Sequence, residues 1–116
     1  MMIDAGEEQY VWQLRAHAVL GKLLERGRRD CLPPADWTVA AAGCGVTAHF
    51  HQPDPSARRL AFDAWAEALG ADRTAAGSLS GAEVLTGKAR LAEDDLVRVV
   101  LSARVWGGDE EDGGYG

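Results

Sequence analysis

A stretch of alternating apolar and polar side chains spans residues 36–52, with the sequence DWTVAAAGCGVTAHFHQ. Two strand-like runs flank the pair Gly43-Cys44, and a two-residue loop that begins with Gly favours a type II′ hairpin turn. Because strand side chains alternate between two faces, this turn places Trp37 opposite Phe50 on an apolar face. The stretch therefore predicts a β-hairpin that buries only one of its faces.

Two further segments have the periodicity of amphipathic helices. The first is predicted from an N-cap at Asp4 to about Arg29. The second is predicted from an N-cap at Asp54, with Pro55 at its first helical position, and Gly70 follows its end. The aromatic side chains expected to share one core are Trp12, Trp37, Phe50 and Trp65. A second, weaker apolar strip on the first helix contains Val11, Leu14 and Ala18. This strip predicts either a wide core contact or a helix-to-helix contact in a dimer.

Residues 71–81 are small and polar, so we expect a flexible connection there. Residues 82–106 predict a second hairpin with a polar turn within 92–95. The element order is then αββαββ, which predicts an α+β fold with two helices on one face of a four-stranded antiparallel sheet. This order resembles that of a ferredoxin-like fold whose first strand has moved to the end, in which the second and fourth strands are central. The resemblance covers element order alone, and such an analogy does not fix a function.

The charge pattern separates a tail from the rest of the chain. The net charge is −6, but four carboxylates lie together at 109–112 within the segment GGDEEDGGYG. We therefore predict one folded α+β domain at 1–106 and a disordered acidic tail at 107–116. No apolar run approaches the ~20 residues of a membrane span, and the acidic N-terminus lacks signal-peptide features. These observations predict a cytoplasmic protein with no membrane partner, and the ratio of ten Arg to two Lys is typical of a bacterial one.

The outward face of the second hairpin is the main candidate binding site. Its predicted binding residues are Lys88, Arg90, Arg98, Arg104 and Trp106. Like charges on neighbouring strands repel each other, so a row of them favours a compensating anion. Arg and Trp are also enriched in binding hot spots. The alternatives are a solvated basic face, an acidic protein partner, a second copy of the chain, and nucleic acid.

A second candidate is a metal site on the polar face of the first hairpin. His49 and His51 are two residues apart and point the same way, and Asp36 is predicted opposite His51. Two imidazoles and a carboxylate suit a divalent metal with open positions for water. The alternative is a pair of surface histidines, one of which is hydrogen-bonded to the carboxylate.

No phosphate loop, nucleotide fingerprint or nucleophile elbow occurs in the sequence. We therefore predict a small non-enzymatic module, without a cofactor, that binds a protein partner or itself through the open, basic face of its sheet. One alternative is a nucleic-acid-binding sheet domain, although such sheets stack bases on central aromatic side chains. Another is a small metal-dependent enzyme that uses His49 and His51, which requires a pocket.

Overall fold

The computed structural model describes residues 5–40, 45–77, 82–91 and 94–106, and not the side chains of Ala5, Ala82, Asp95 and Trp106. Its elements are α1 (Ala5–Arg29), β1 (Asp36–Val39), β2 (Gly45–Phe50), α2 (Pro55–Leu69), β3 (Asp72–Gly77), β4 (Ala82–Leu91) and β5 (Asp94–Trp106). The strands form one mixed sheet in the order β1-β2-β5-β4-β3. Both helices pack on the same face of this sheet, which confirms the predicted α+β class. The predicted tail at 107–116 lies outside the described residues.

The prediction of a four-stranded antiparallel sheet is wrong in strand number and in strand direction. The segment expected to be a flexible connection contains the edge strand β3, which pairs antiparallel with β4. This extra strand between α2 and β4 reverses the direction of the strands that follow it. Consequently β5 runs parallel to β2, whereas a ferredoxin-like sheet is antiparallel throughout. The predicted second and fourth strands are neighbours as expected, but the ferredoxin-like arrangement does not hold.

The first hairpin is present with a register that differs from the prediction. Trp37 pairs with Ala48 and not with Phe50, a shift of two residues. The backbone N–H of Ala40 donates to the Gly45 carbonyl at 2.9 Å, so four residues, 41–44, separate this pair along the chain. The predicted two-residue turn lies within those four residues, which are outside the described part. A shift of two leaves every side chain on its predicted face.

Both helices end where the sequence predicts. At the end of α2, Gly70 has the left-handed φ of 61°, and its N–H and that of Ala71 return to carbonyls of the last turn. This is the Schellman arrangement that Gly favours. Cys31 has φ 55° after α1, and the Leu32 N–H donates to the Gly27 carbonyl at 2.8 Å. After these reversals the chain enters β1 beyond α1 and β3 beyond α2.

The core lies between the helices and the covered face of the sheet. The central strand β5 supplies five buried side chains to it: Val97, Val99, Leu101, Ala103 and Val105. Of the four aromatic side chains expected there, Phe50 and Trp65 are buried and Trp37 packs against them. Trp12 is half-buried and lies outside this cluster, so that part of the prediction is wrong.

Trp65 joins the helices to the first hairpin. Its indole N–H donates to the Pro33 carbonyl at 2.7 Å, and its ring meets that of Trp37 edge-on with centroids 5.3 Å apart. Gly27 of α1 lies against the same ring, where a Cβ atom would come within 2.9 Å of it. Close packing of α1 on α2 therefore requires the absence of a side chain at Gly27.

Candidate functional site

The face of the sheet opposite the helices is open in the described part of the chain. Side chains on this face alternate with the buried ones of β2, β4 and β5, as the sequence predicts. Its middle carries small half-buried side chains: Thr47, Val84, Thr86, Val100 and Ser102. No Phe, Tyr or Trp is among the described side chains of this face. It is therefore a shallow surface with positive charge towards its ends.

Three of the predicted binding residues lie together, and we call them the cationic end: Lys88, Arg90 and Arg98. Arg90 is the direct ladder partner of Arg98, and Lys88 lies two residues away on the same face of β4. All three side chains are exposed. They border a groove of about 360 Å³ that is also lined by Gly70, Asp72 and Ala89.

The cationic end differs from most other basic positions in its electrostatic surroundings. Ion pairs with a carboxylate occur at Arg15, Arg26, Arg29, Arg59 and Arg73. Among the described residues, no carboxylate lies within ion-pair distance of Lys88, Arg90 or Arg98. Asp72 is the ladder partner of Lys88 but forms no ion pair with it. The charges of the cationic end are thus held close together without local neutralisation by described groups.

The other two predicted binding residues lie far from this cluster. Arg104 is six residues beyond Arg98 on β5, or about 20 Å along a strand. It is exposed and pairs with Val84 in the ladder. Trp106 pairs with Ala82 at the end of the same ladder, and its side chain is outside the described part. The five predicted residues therefore do not form one continuous patch.

The candidate metal residues are close to one another at the β1–β2 edge. Asp36 pairs with His49 in the ladder, because of the register shift, while His51 Nε2 lies 3.3 Å from Asp36 Oδ2. The two imidazole rings stack with centroids 6.1 Å apart. The side chains of His51 and Asp36 are 68% and 76% exposed. Nowhere in the described part are three or more His, Cys, Asp or Glu side chains placed to hold a metal ion.

Sequence reasoning missed two features beside these candidates. Gly70 and Asp72 line the groove of the cationic end, but Gly70 directly precedes the segment that was expected to be a loop and Asp72 lies within it. Arg15 of α1 donates a hydrogen bond to Asp94, at the start of β5, with a distance of 2.6 Å. The two residues are 79 apart in the chain, so no local sequence pattern predicts their contact. The hydrogen bond from Arg15 is the main cause that lowers the pKa of Asp94 below its ordinary value. The ion pair links α1 to β5 at the surface of the molecule.

Two alternatives were predicted for the second apolar strip of α1, a wide core contact and a dimer contact. The structure does not show the wide core contact. Val11 is 53% exposed and Leu14 is 69% exposed, and Ala18 is exposed as well. The main stripe, with Ala16, Val19 and Leu23, alone packs on the sheet. The outer face of the helix is left uncovered by the described residues.

No protein-family model, no curated protein and no solved structure is significantly similar to this chain. Among the described residues, neither helix combines the length and the apolar character that crossing a membrane requires. A function for this chain therefore has to be inferred from its exposed surfaces, chiefly the open face of the sheet.

Proposed function

We propose that this protein is a non-enzymatic interaction module, cytoplasmic and bacterial, whose open sheet face binds an acidic segment of a protein partner. The observation that supports this proposal is the direct pairing of Arg90 with Arg98 without a carboxylate partner among the described residues. Like charges directly opposite each other on neighbouring strands are destabilising. A bound carboxylate removes this repulsion and also forms charge-assisted hydrogen bonds.

The chemistry of the cationic end fits carboxylates on a peptide. Each guanidinium offers a planar pair of donors that matches a carboxylate, and Lys88 adds a more mobile ammonium group. The groove beside them, about 360 Å³, can receive one or two acidic side chains. The small side chains in the middle of the face let the rest of an extended segment lie flat on the sheet.

The nucleic-acid alternative is less well supported by the same face. Sheets that bind single strands combine positive charge with aromatic platforms on which bases stack. The described side chains of this face include no such platform, and the three clustered cations occupy one end only. The metal-dependent enzyme has weaker support, because Asp36, His49 and His51 are exposed at an edge and are not placed as a ligand set.

The proposal is tested by measuring the affinity of the full chain for poly-L-glutamate at low and at physiological salt. The double variant Arg90→Ala, Arg98→Ala is expected to bind poly-L-glutamate at least tenfold more weakly at low salt. Each charge-assisted hydrogen bond that it loses contributes about 1.5–3 kcal/mol. The matched control is Arg59→Ala with Arg73→Ala, which removes two charges from exposed positions that pair with other residues. The control is expected to change the affinity less than about twofold.

Equal losses in the two double variants would show that net charge and not the cationic end governs binding, and the proposal would be wrong. A single-stranded oligonucleotide of matched charge provides the comparison with the nucleic-acid alternative. Tighter binding of the oligonucleotide, with the same dependence on Arg90 and Arg98, would replace the protein partner by nucleic acid.

A further inference from the structure

The outer face of α1 carries side chains at alternating spacings of four and three residues. These positions are Tyr10, Leu14, His17, Gly21 and Leu24. Tyr10 and Leu14 are each 69% exposed and Leu24 is 52% exposed, so this stripe lies away from the side that packs on the sheet. The spacing is that of the a and d positions of a coiled coil. The helix therefore has two apolar faces, of which the described part of the chain covers one.

Packing within the described part of the chain does not require a Gly at position 21 of this stripe. Gly in a helix interior is less stable than Ala, so it usually marks a close approach. At Gly27 the close approach is that of Trp65, but a Cβ atom on Gly21 would meet nothing within 4 Å. An exposed gap thus lies within this stripe, about two turns away from the protruding side chain of Leu14.

We propose that α1 pairs with α1 of a second copy of this chain, antiparallel, about a two-fold axis between His17 and Ala18. In this register Leu14 of each copy packs into the gap over Gly21 of the other. The same patch serves on both copies, as a two-fold interface requires. Leu14 of one copy and Gly21 of the other are therefore complementary in size when the two helices run antiparallel.

The charges at the ends of the helix select the antiparallel direction. The first turn of α1 is acidic, with Glu7 and Glu8, and the last turn is basic, with Arg26, Arg28 and Arg29. Antiparallel pairing brings Glu7 of one copy beside Arg28 of the other at both ends, and it also opposes the two helix dipoles. Parallel pairing brings like charges together at each end and leaves the two Gly21 gaps facing each other. The occupant that best fits the outer face of α1 is thus a reversed copy of itself.

This dimer is independent of the binding proposed for the open sheet face. The helices lie on the other side of the sheet, so pairing through α1 leaves both open faces accessible. A dimer then presents two cationic ends. A partner with two acidic segments would bind with an avidity that neither site has alone.

The test is the mass of the full chain by sedimentation over a range from about 1 μM to about 500 μM. We expect the mass to rise towards twice the 12.4 kDa of one chain. Leu14→Glu is expected to weaken dimerisation at least tenfold, because it places a charge in the gap at both copies. Leu60→Glu is the matched control, since Leu60 is 71% exposed on α2, and it should leave the dimerisation constant within about twofold. Circular dichroism checks that both variants remain folded.

The direction of pairing has its own test in a charge exchange. Glu7→Arg alone and Arg28→Glu alone should each weaken the dimer several-fold at low salt, and the two changes in one chain should restore it. A chain that stays monomeric throughout the range, or equal dimerisation of Leu14→Glu and Leu60→Glu, would overturn the proposal. Failure of the double exchange to recover the dimer would overturn the antiparallel direction.

Discussion

A single methyl group at Gly27 tests the packing that holds α1 against α2. In Gly27→Ala the new Cβ atom would lie 2.9 Å from Cζ2 of Trp65 and 3.1 Å from Cη2. The first distance is shorter than carbon atoms tolerate, so either the ring or the helix must move. The ring is held by its hydrogen bond to the Pro33 carbonyl and by the edge of Trp37, and it is only 2% exposed. We therefore expect α1 to move away from α2.

The size of the effect follows from two opposing contributions. Overpacking of a well-filled core costs about 1–3 kcal/mol, while replacing Gly by Ala in a helix returns up to about 1 kcal/mol. Gly21→Ala is the internal reference, because its Cβ atom meets nothing within 4 Å and only the gain remains. The difference between the two variants, about 1–3 kcal/mol, is therefore a measure of the contact with Trp65.

The assay is urea unfolding followed by far-UV circular dichroism. Both substitutions are made in the Leu14→Glu background so that dimerisation does not contribute to the midpoint. Gly27→Ala should lower the free energy of unfolding relative to Gly21→Ala, without a change in the slope of unfolding against urea. Equal stability of the two variants would refute the reasoning, since it would mean that no contact between Gly27 and Trp65 limits the approach of the helices.

Two further predictions concern the core and the contact between α1 and β5. Trp65→Ala should cost about 3–5 kcal/mol of unfolding free energy in urea, and a loss below about 1 kcal/mol would show that α2 does not pack on the sheet as described. Asp94→Asn should destabilise the fold near neutral pH and have no effect well below pH 3.8, because Arg15 lowers the pKa of the folded carboxyl below that value. The contribution of Asp94 is thus complete above its unfolded pKa and is lost as the pH falls through its folded pKa, so a deficit that persists in acid would contradict the pairing.

The helices could be predicted from the sequence because their signals are local. An amphipathic stripe, a Pro at the first position of α2 and Gly70 at its end each act over a few residues, and α2 has the predicted bounds. The faces of β4 and β5 could be predicted for the same reason, since burial on one side imposes a period of two. The hairpin register could not, because the residues next to the turn are small and a shift of two preserves every face.

The strand β3 left no such signal. All six of its residues are exposed, so neither face imposes a hydrophobic alternation, and it is held in the sheet by its backbone pairing with β4. Missing this one strand also gave the wrong direction for β5 relative to β2, because each additional strand in an antiparallel series reverses the next. Local errors in strand count thus become global errors in topology.

The same strand explains why the candidate site could be predicted only in part. Alternation on β4 and β5 placed Lys88, Arg90 and Arg98 on the open face, and their ladder pairing brings them together. It could not show that Asp72 and Gly70 complete a groove beside them, because that depends on where β3 begins. Nor could it show that Arg104 belongs to a different part of the face, since separation along a strand matters as much as a shared face. A basic face predicted from sequence is therefore a set of positions, and the pairing of strands determines which of those positions can act on one ligand.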